Sequence, residues 1–161
     1  YLGTVASFDA YRSAQQAMYA AVTLSDLSTR VLEMTDERRD ALFNTGDALM
    51  NRWEQDSSFS MSITSVTYDD TVDLEADEDA LPQKVSWSQA TPVSEVIETS
   101  DIANYDLPEI ADGESMILVE VKGTYKPAFG GLGLPAYYTV ERTSVRRPRF
   151  VNEVPYITSG G

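Results

Sequence analysis

The sequence predicts an α+β fold: a long helix, a shorter second helix, then a run of antiparallel strands packed against the first helix. Three observations carry this. Apolar and small residues recur at gaps of three and four through residues 1–34. Neither Pro nor Gly occurs in residues 4–34. From residue 58 the period changes to two. With 42% hydrophobic and 24% charged residues over 161 positions, the chain has a globular composition and enough length to bury a core.

In the first helix Ala10, Ser13, Ala17, Ala20, Leu24, Leu27, Val31 and Met34 form a narrow stripe on one face. Phe8, Tyr11, Met18 and Val22 form a second stripe near its start. Thirty residues at 1.5 Å rise make a rod of roughly 45 Å, longer than a small domain needs. Residues 18–34 are therefore expected to serve as a core helix, and 1–17, which open without a cap, to protrude as the stump of a longer one. Thr35 is placed to cap the second helix, with Asp36 and Glu37 in its first turn, where acid suits the helix dipole. Leu42, Phe43, Gly46, Leu49, Met50 and Trp53 share a face, and the helix is expected to end near Trp53.

Phe59, Met61 and Ile63 alternate with Ser60, Ser62 and Thr64, the pattern of a strand with one buried face. The phase then shifts to Val66 and Tyr68, which predicts a bulge. Val85 and Trp87 mark a short second strand. Residues 116–125 form the most continuous one, with Ile117, Val119 and Val121 on one face, and residues 136–146 another. The glycine-rich stretch 126–135 is too long for a tight turn and is expected to project, exposing Phe129, Leu132 and Leu134. Residues 1–157 read as one domain and 158–161 as a disordered tail.

Charge narrows the function. The chain has 26 acids, 12 bases, no His and no Cys, for a formal net charge of −14. Disulfides, thiolate or imidazole metal sites, Cys nucleophiles and His-dependent triads are excluded, and a phosphate backbone is an unattractive partner. No cofactor is expected, because neither a phosphate-binding loop nor a dinucleotide glycine motif is present. Residues 69–114 carry 14 acids and one base, Lys84, whereas residues 115–161 carry 3 acids and 6 bases. Opposite fields on one molecule favour internal pairing or head-to-tail association.

Four groups of residues are candidate sites. Asp69, Asp70, Asp73, Glu75 and Asp77 form the densest carboxylate run; it lacks the central Gly of an EF-hand loop, so a solvated rim is the simpler reading and calcium the sharper one. Arg142, Arg146, Arg147 and Arg149 form a basic group that can fork onto a partner's acids or onto the chain's own. Phe129, Leu132 and Leu134 are a second contact candidate. Phe8, Tyr11, Ala17, Leu24 and Leu27 are candidates for packing against other helices. A carboxylate pair for glycosidase-type chemistry needs a closed cleft that nothing in the sequence encloses, so no enzymatic activity is expected.

The order of these signatures resembles a family. A helix through Phe8-Asp9-Ala10-Tyr11-Arg12 runs into Asp26-Leu27-Ser28-Thr29-Arg30. The second helix carries Leu42, Leu49 and Met50. The strand at 60–66, a short one around Trp87 and a last strand entering Arg146-Arg147-Pro148-Arg149 follow. The chain resembles the ectodomain of a TadE/TadF-like minor pseudopilin of tight-adherence (Flp, type IVc) pilus systems. The resemblance implies a pilin-like fold and an upstream apolar helix that anchors the domain at the bacterial inner membrane. It implies a place in the periplasm or on an extracellular pilus, and sister pseudopilins and pilus subunits as partners. The implied role is non-catalytic, in assembly, initiation or the tip of the filament. The competing expectation is a secreted or surface-anchored binding module with no filament role, for instance an adhesin or a calcium-dependent ligand domain.

Overall fold

The structure, a computed structural model, describes residues 2–50, 58–72, 82–125 and 137–158. Helix α1 spans Leu2–Ser28 and strand β1 Met34–Thr35; helix α2 spans Asp36–Met50 and strand β2 Ser58–Tyr68. Strand β3 spans Gln83–Thr91 and is followed by two 3₁₀ turns, Val93–Glu95 and Thr99–Asn104. Then come β4 at Ser115–Tyr125, β5 at Tyr138–Arg146 and β6 at Tyr156–Ile157. Strands β3-β2-β4-β5 form one antiparallel sheet, and β1 pairs with β6 in parallel. The α+β class is as expected.

Helix α1 ends at Ser28, not at Met34. The apolar stripe runs on, but the chain has better partners beyond Ser28. The hydroxyls of Ser25, Ser28 and Thr29 donate to the carbonyls of Val22, Leu24 and Asp26 at 2.7–2.9 Å, a habit that loosens a helix terminus. The Thr29 carbonyl accepts from the Arg149 amide at 3.0 Å, and the Met34 amide donates to the Pro155 carbonyl at 2.8 Å. The C-terminal segment thus takes over the backbone groups that further helix would have used. Thr35 does cap α2, accepting from the Arg38 amide at 3.3 Å. The expected end near Trp53 lies outside the described residues.

The sheet has two covered faces. On one, Met61, Ile63, Trp87, Ile117, Val119, Val121 and Val140 pack with Ala17, Ala20, Ala21 and Leu24 of α1 and with Leu42 and Met50 of α2. On the other, Val66, Met116 and Leu118 pack under Ile97, Ile102 and Ile110 of the connection between β3 and β4. This corrects the reading of β2 as half-wet. Ser62, Thr64 and Ser65 are all at most 2% exposed. Thr64 is satisfied by a 2.7 Å hydrogen bond with Ser88. A register slip is present where the bulge was expected, between Ser65 and Val66, which face Trp87 and Val85, but the extra residue is Ser86 of β3; β2 keeps an unbroken register with β4, and its apolar side chains change face at Val66 because both faces are covered.

The segment after Arg149, without a period in sequence, closes the helical face. Trp87 Nε1 donates to the Val154 carbonyl at 2.7 Å, and its ring meets that of Tyr156 at 5.5 Å. Arg39 of α2 donates to Asp36, Tyr156 and Gln89 at 2.9, 2.8 and 3.3 Å, joining helix, β6 and β3. Burial, then the hydrogen bond to Asp36, raise the Tyr156 hydroxyl's pKa, and Arg39 opposes them in part.

Candidate interaction surfaces

Helix α1 packs with one face and leaves large side chains, interleaved with Arg12 and Gln15, exposed on the other. Its inner face uses small ones: Ala17, Ala20, Ala21, Ser25 and Ser28 are fully buried, as is Leu24. Small residues let the helix lie close to the sheet. Ser25 reaches Ser144 of β5 at 2.8 Å, and Gln16 donates to the Leu49 carbonyl of α2 at 2.5 Å. The outer face uses large ones. Phe8, Tyr11 and Tyr19 are each more than 60% exposed and Met18 is 42% exposed; their spacing of three, seven and one puts them on one side of the helix. Of the residues expected to pack on other helices, Ala17 and Leu24 are spent inside this chain, while Phe8, Tyr11 and Leu27 are exposed. Among the described residues no helix is long and apolar enough to cross a membrane.

The four arginines differ in what they meet. Arg149 pairs with Asp26 at the end of α1, and Arg146 approaches the same carboxylate at 3.7 Å. Arg147 pairs with Glu114 at 2.6 Å. Arg142 donates to the carbonyl of Glu141 at 2.7 Å. Among the described residues no carboxylate lies within ion-pair distance of it. Asp26 therefore gathers Arg30, Arg146 and Arg149 around one carboxylate.

Asp69 closes a turn. Its Oδ1 accepts from the amide and hydroxyl of Thr71 and from Lys84. The Thr71 bonds first, and Lys84 after them, hold its pKa below the ordinary value. Asp70 lies 3.7 Å from Lys84. Asp73, Glu75 and Asp77 lie outside the described residues, as do Phe129, Leu132, Leu134 and the tail 159–161. Among the described residues no group of three or more acids is placed to hold a metal ion.

A cleft of about 270 Å³ opens on the sheet face away from the helices. Glu120 and Lys122 of β4 and Glu141 of β5 form its floor, and Glu95, Asp101 and Tyr105 of the β3–β4 connection its wall. Glu120 is 3% exposed, with Oε1 accepting from the Tyr105 hydroxyl at 2.9 Å and Oε2 pairing with Lys122 at 2.8 Å. Burial, then Glu120, push the Tyr105 hydroxyl far up in pKa. Burial works against the Lys122 ammonium, but Glu120, Glu141 and Glu95 outweigh it and the net shift is upward. Chemically this arrangement holds positive charge. Sequence reading missed it because the wall reads as acidic loop. The available signal was Glu120 itself, a carboxylate inside the apolar run 116–121.

No family model, no curated protein and no solved structure matches the chain.

Proposed function

We propose that this chain is the head and lower stem of a non-catalytic minor pseudopilin of the TadE/TadF-like kind. It acts by protein–protein contact in the assembly, initiation or tip of a tight-adherence pilus. The observation that supports the reading is the division of labour on α1. One face fixes the helix to the sheet through Ala17, Ala20, Ala21 and Leu24, while Phe8, Tyr11, Met18 and Tyr19 stand exposed on the other. Large side chains left exposed on one side of a helix, here interleaved with Arg12 and Gln15, keep apolar area in water unless a partner covers them. In the pseudopilin reading that partner is the helix of a neighbouring subunit, and the pilin-like order of helix followed by antiparallel sheet fits the same role.

The test places a photo-crosslinking amino acid at Tyr11 or Tyr19 of the full-length protein, co-expressed with tight-adherence pilus subunits. Crosslinks to pilin or pseudopilin helices, absent when the group is moved to Glu37 on α2, are the expected result. Crosslinks to none of them, in cells that assemble the pilus, would overturn the proposal. A calcium-dependent gain in stability together with that outcome would favour the adhesion module instead.

A further inference from the structure

We propose that the partner covering the outer side of α1 is an acidic helix of another protein chain, one that brings carboxylates to Arg12 and Arg142 and apolar side chains to the large residues between them. The inference rests on the reading that a neighbouring subunit lies against α1, and adds the chemistry which that neighbour must carry.

Two cations lack a counter-charge. In a chain with 26 acids and a formal net charge of −14, a base has many carboxylates to choose from. Among the described residues, every lysine and arginine from Arg30 to Arg149 except Arg142 stands within ion-pair distance of one. Arg142 turns one guanidinium nitrogen to the Glu141 carbonyl at 2.7 Å, which leaves its charge unbalanced. Arg12 of α1 has no carboxylate within that distance among the described residues either. Both side chains are exposed.

Both stand on the outer side of the helix layer. Strand β5 runs in the same direction as α1: Ser144 meets Ser25, Arg146 approaches Asp26, and the Arg149 amide reaches the Thr29 carbonyl. Strand alternation puts Arg142 on the sheet face of Ser144 and Arg146, where α1 lies. Two strand residues before Ser144 amount to about 7 Å, or about four residues of helix, so Arg142 comes level with Ala21 and Val22. Arg12 lies about 14 Å from that level towards Leu2, among Phe8, Tyr11 and Gln15. Met18 and Tyr19, both exposed, fall between the two guanidiniums.

The surface there is basic on a strongly acidic molecule. From Tyr11 to Arg30 the helix holds one acid, Asp26, and Arg30, Arg146 and Arg149 already gather around it. Val140, Arg142, Ser144 and Arg146 of β5 add no acid. The complementary partner is therefore acidic. Tyr, Met and Arg are also the residue types enriched in protein interfaces. A helix that lies on a lipid surface separates an apolar side from a charged one. Here Arg12 and Gln15 interrupt the large residues, which favours a protein occupant over an anionic membrane.

The experiment compares charge variants of the full-length protein carrying the photo-crosslinking amino acid at Tyr19, in cells that assemble the pilus. Arg12→Glu with Arg142→Glu should lower the yield of the subunit crosslink about tenfold, whereas Arg12→Lys with Arg142→Lys should keep it within about threefold. Arg38→Glu on α2 should leave the yield unchanged. Replacing a carboxylate beside the crosslinked position of the partner by arginine should restore the crosslink to the double Glu variant, a gain that a misfolded variant would not show. A double Glu variant that crosslinks like the parent, or a loss that no such replacement restores, would overturn this inference and leave the pseudopilin reading standing. A parent that crosslinks to no pilus subunit would overturn both. In a second arm the purified chain is sedimented with phosphatidylglycerol vesicles, and no binding is expected. Binding that the double Glu variant abolishes would assign this side to an anionic membrane and overturn the protein partner.

Discussion

Replacing Gly46 by Ala should destabilise this chain by about 1 kcal/mol, although alanine is the better helix former. Gly46 sits inside the 15-residue α2, on the face that meets both α1 and the sheet. A Cβ built there would run into Met61 Sδ, stand 2.9 Å from Met61 Cε and 3.2 Å from Leu24 Cδ1. Met61 and Leu24 are both fully buried, so Met61 has to change rotamer within a packed core. Helix propensity gains about 1 kcal/mol from the substitution. Overpacking costs about 1–3 kcal/mol, which leaves a net loss of about 1. The same change in a Met61→Ala background has a different sign, because the obstructing thioether is gone and the propensity gain of up to about 1 kcal/mol remains. Met61→Ala alone should cost about 2–5 kcal/mol. Urea unfolding of the four proteins, followed by far-UV circular dichroism, gives the cycle, with an expected coupling of about 2 kcal/mol. If Gly46→Ala stabilises the parent as much as it stabilises the Met61→Ala variant, the account of why glycine stands there is wrong.

Three further outcomes are expected. Trp87→Phe removes the indole donor to the Val154 carbonyl and should cost about 1–3 kcal/mol, with faster hydrogen exchange at the Met34 amide, which is bonded to Pro155. The Tyr105 hydroxyl is raised above the ordinary tyrosine value of 10.0, so its contribution to stability is complete below that pH and is lost as pH rises beyond it. Tyr105→Phe should therefore unfold less steeply than the parent in alkaline titration, and a parallel slope would refute the assignment. Asp26→Ala releases Arg30, Arg146 and Arg149 together and should cost about 1 kcal/mol, less in high salt, since the carboxylate side chain is 25% exposed; differential scanning calorimetry at two ionic strengths checks it.

Much of the fold was legible because its signals are local. The apolar run of residues 116–121 needs only neighbouring residues to be read, and the cap at Thr35 needs only the turn that follows. What was not legible depends on residues far apart. Helix α1 stops short because Arg149 and Pro155 reach its end, more than a hundred positions away in sequence. Ser62 and Thr64 look like a wet face because a dry face covered by a later segment leaves the same alternating pattern. The two-residue β1 and β6 have no period to detect. Among the candidate sites, the arginine group was visible as charge, but its commitment to Asp26 and Glu114 required geometry. The cleft escaped because its floor and wall come from three separate stretches.

The inner face of α1 has a mechanical consequence. Alanine and serine offer few protrusions to interlock with the sheet, so shape alone resists sliding along the rod's axis only weakly. Its lengthwise position is set instead by a few polar pins: Ser25 against Ser144, Gln16 against Leu49, and Asp26 against Arg149. A pull applied at the Leu2 end would load those pins in shear, all at once. Such a joint holds firm under small forces and then yields abruptly.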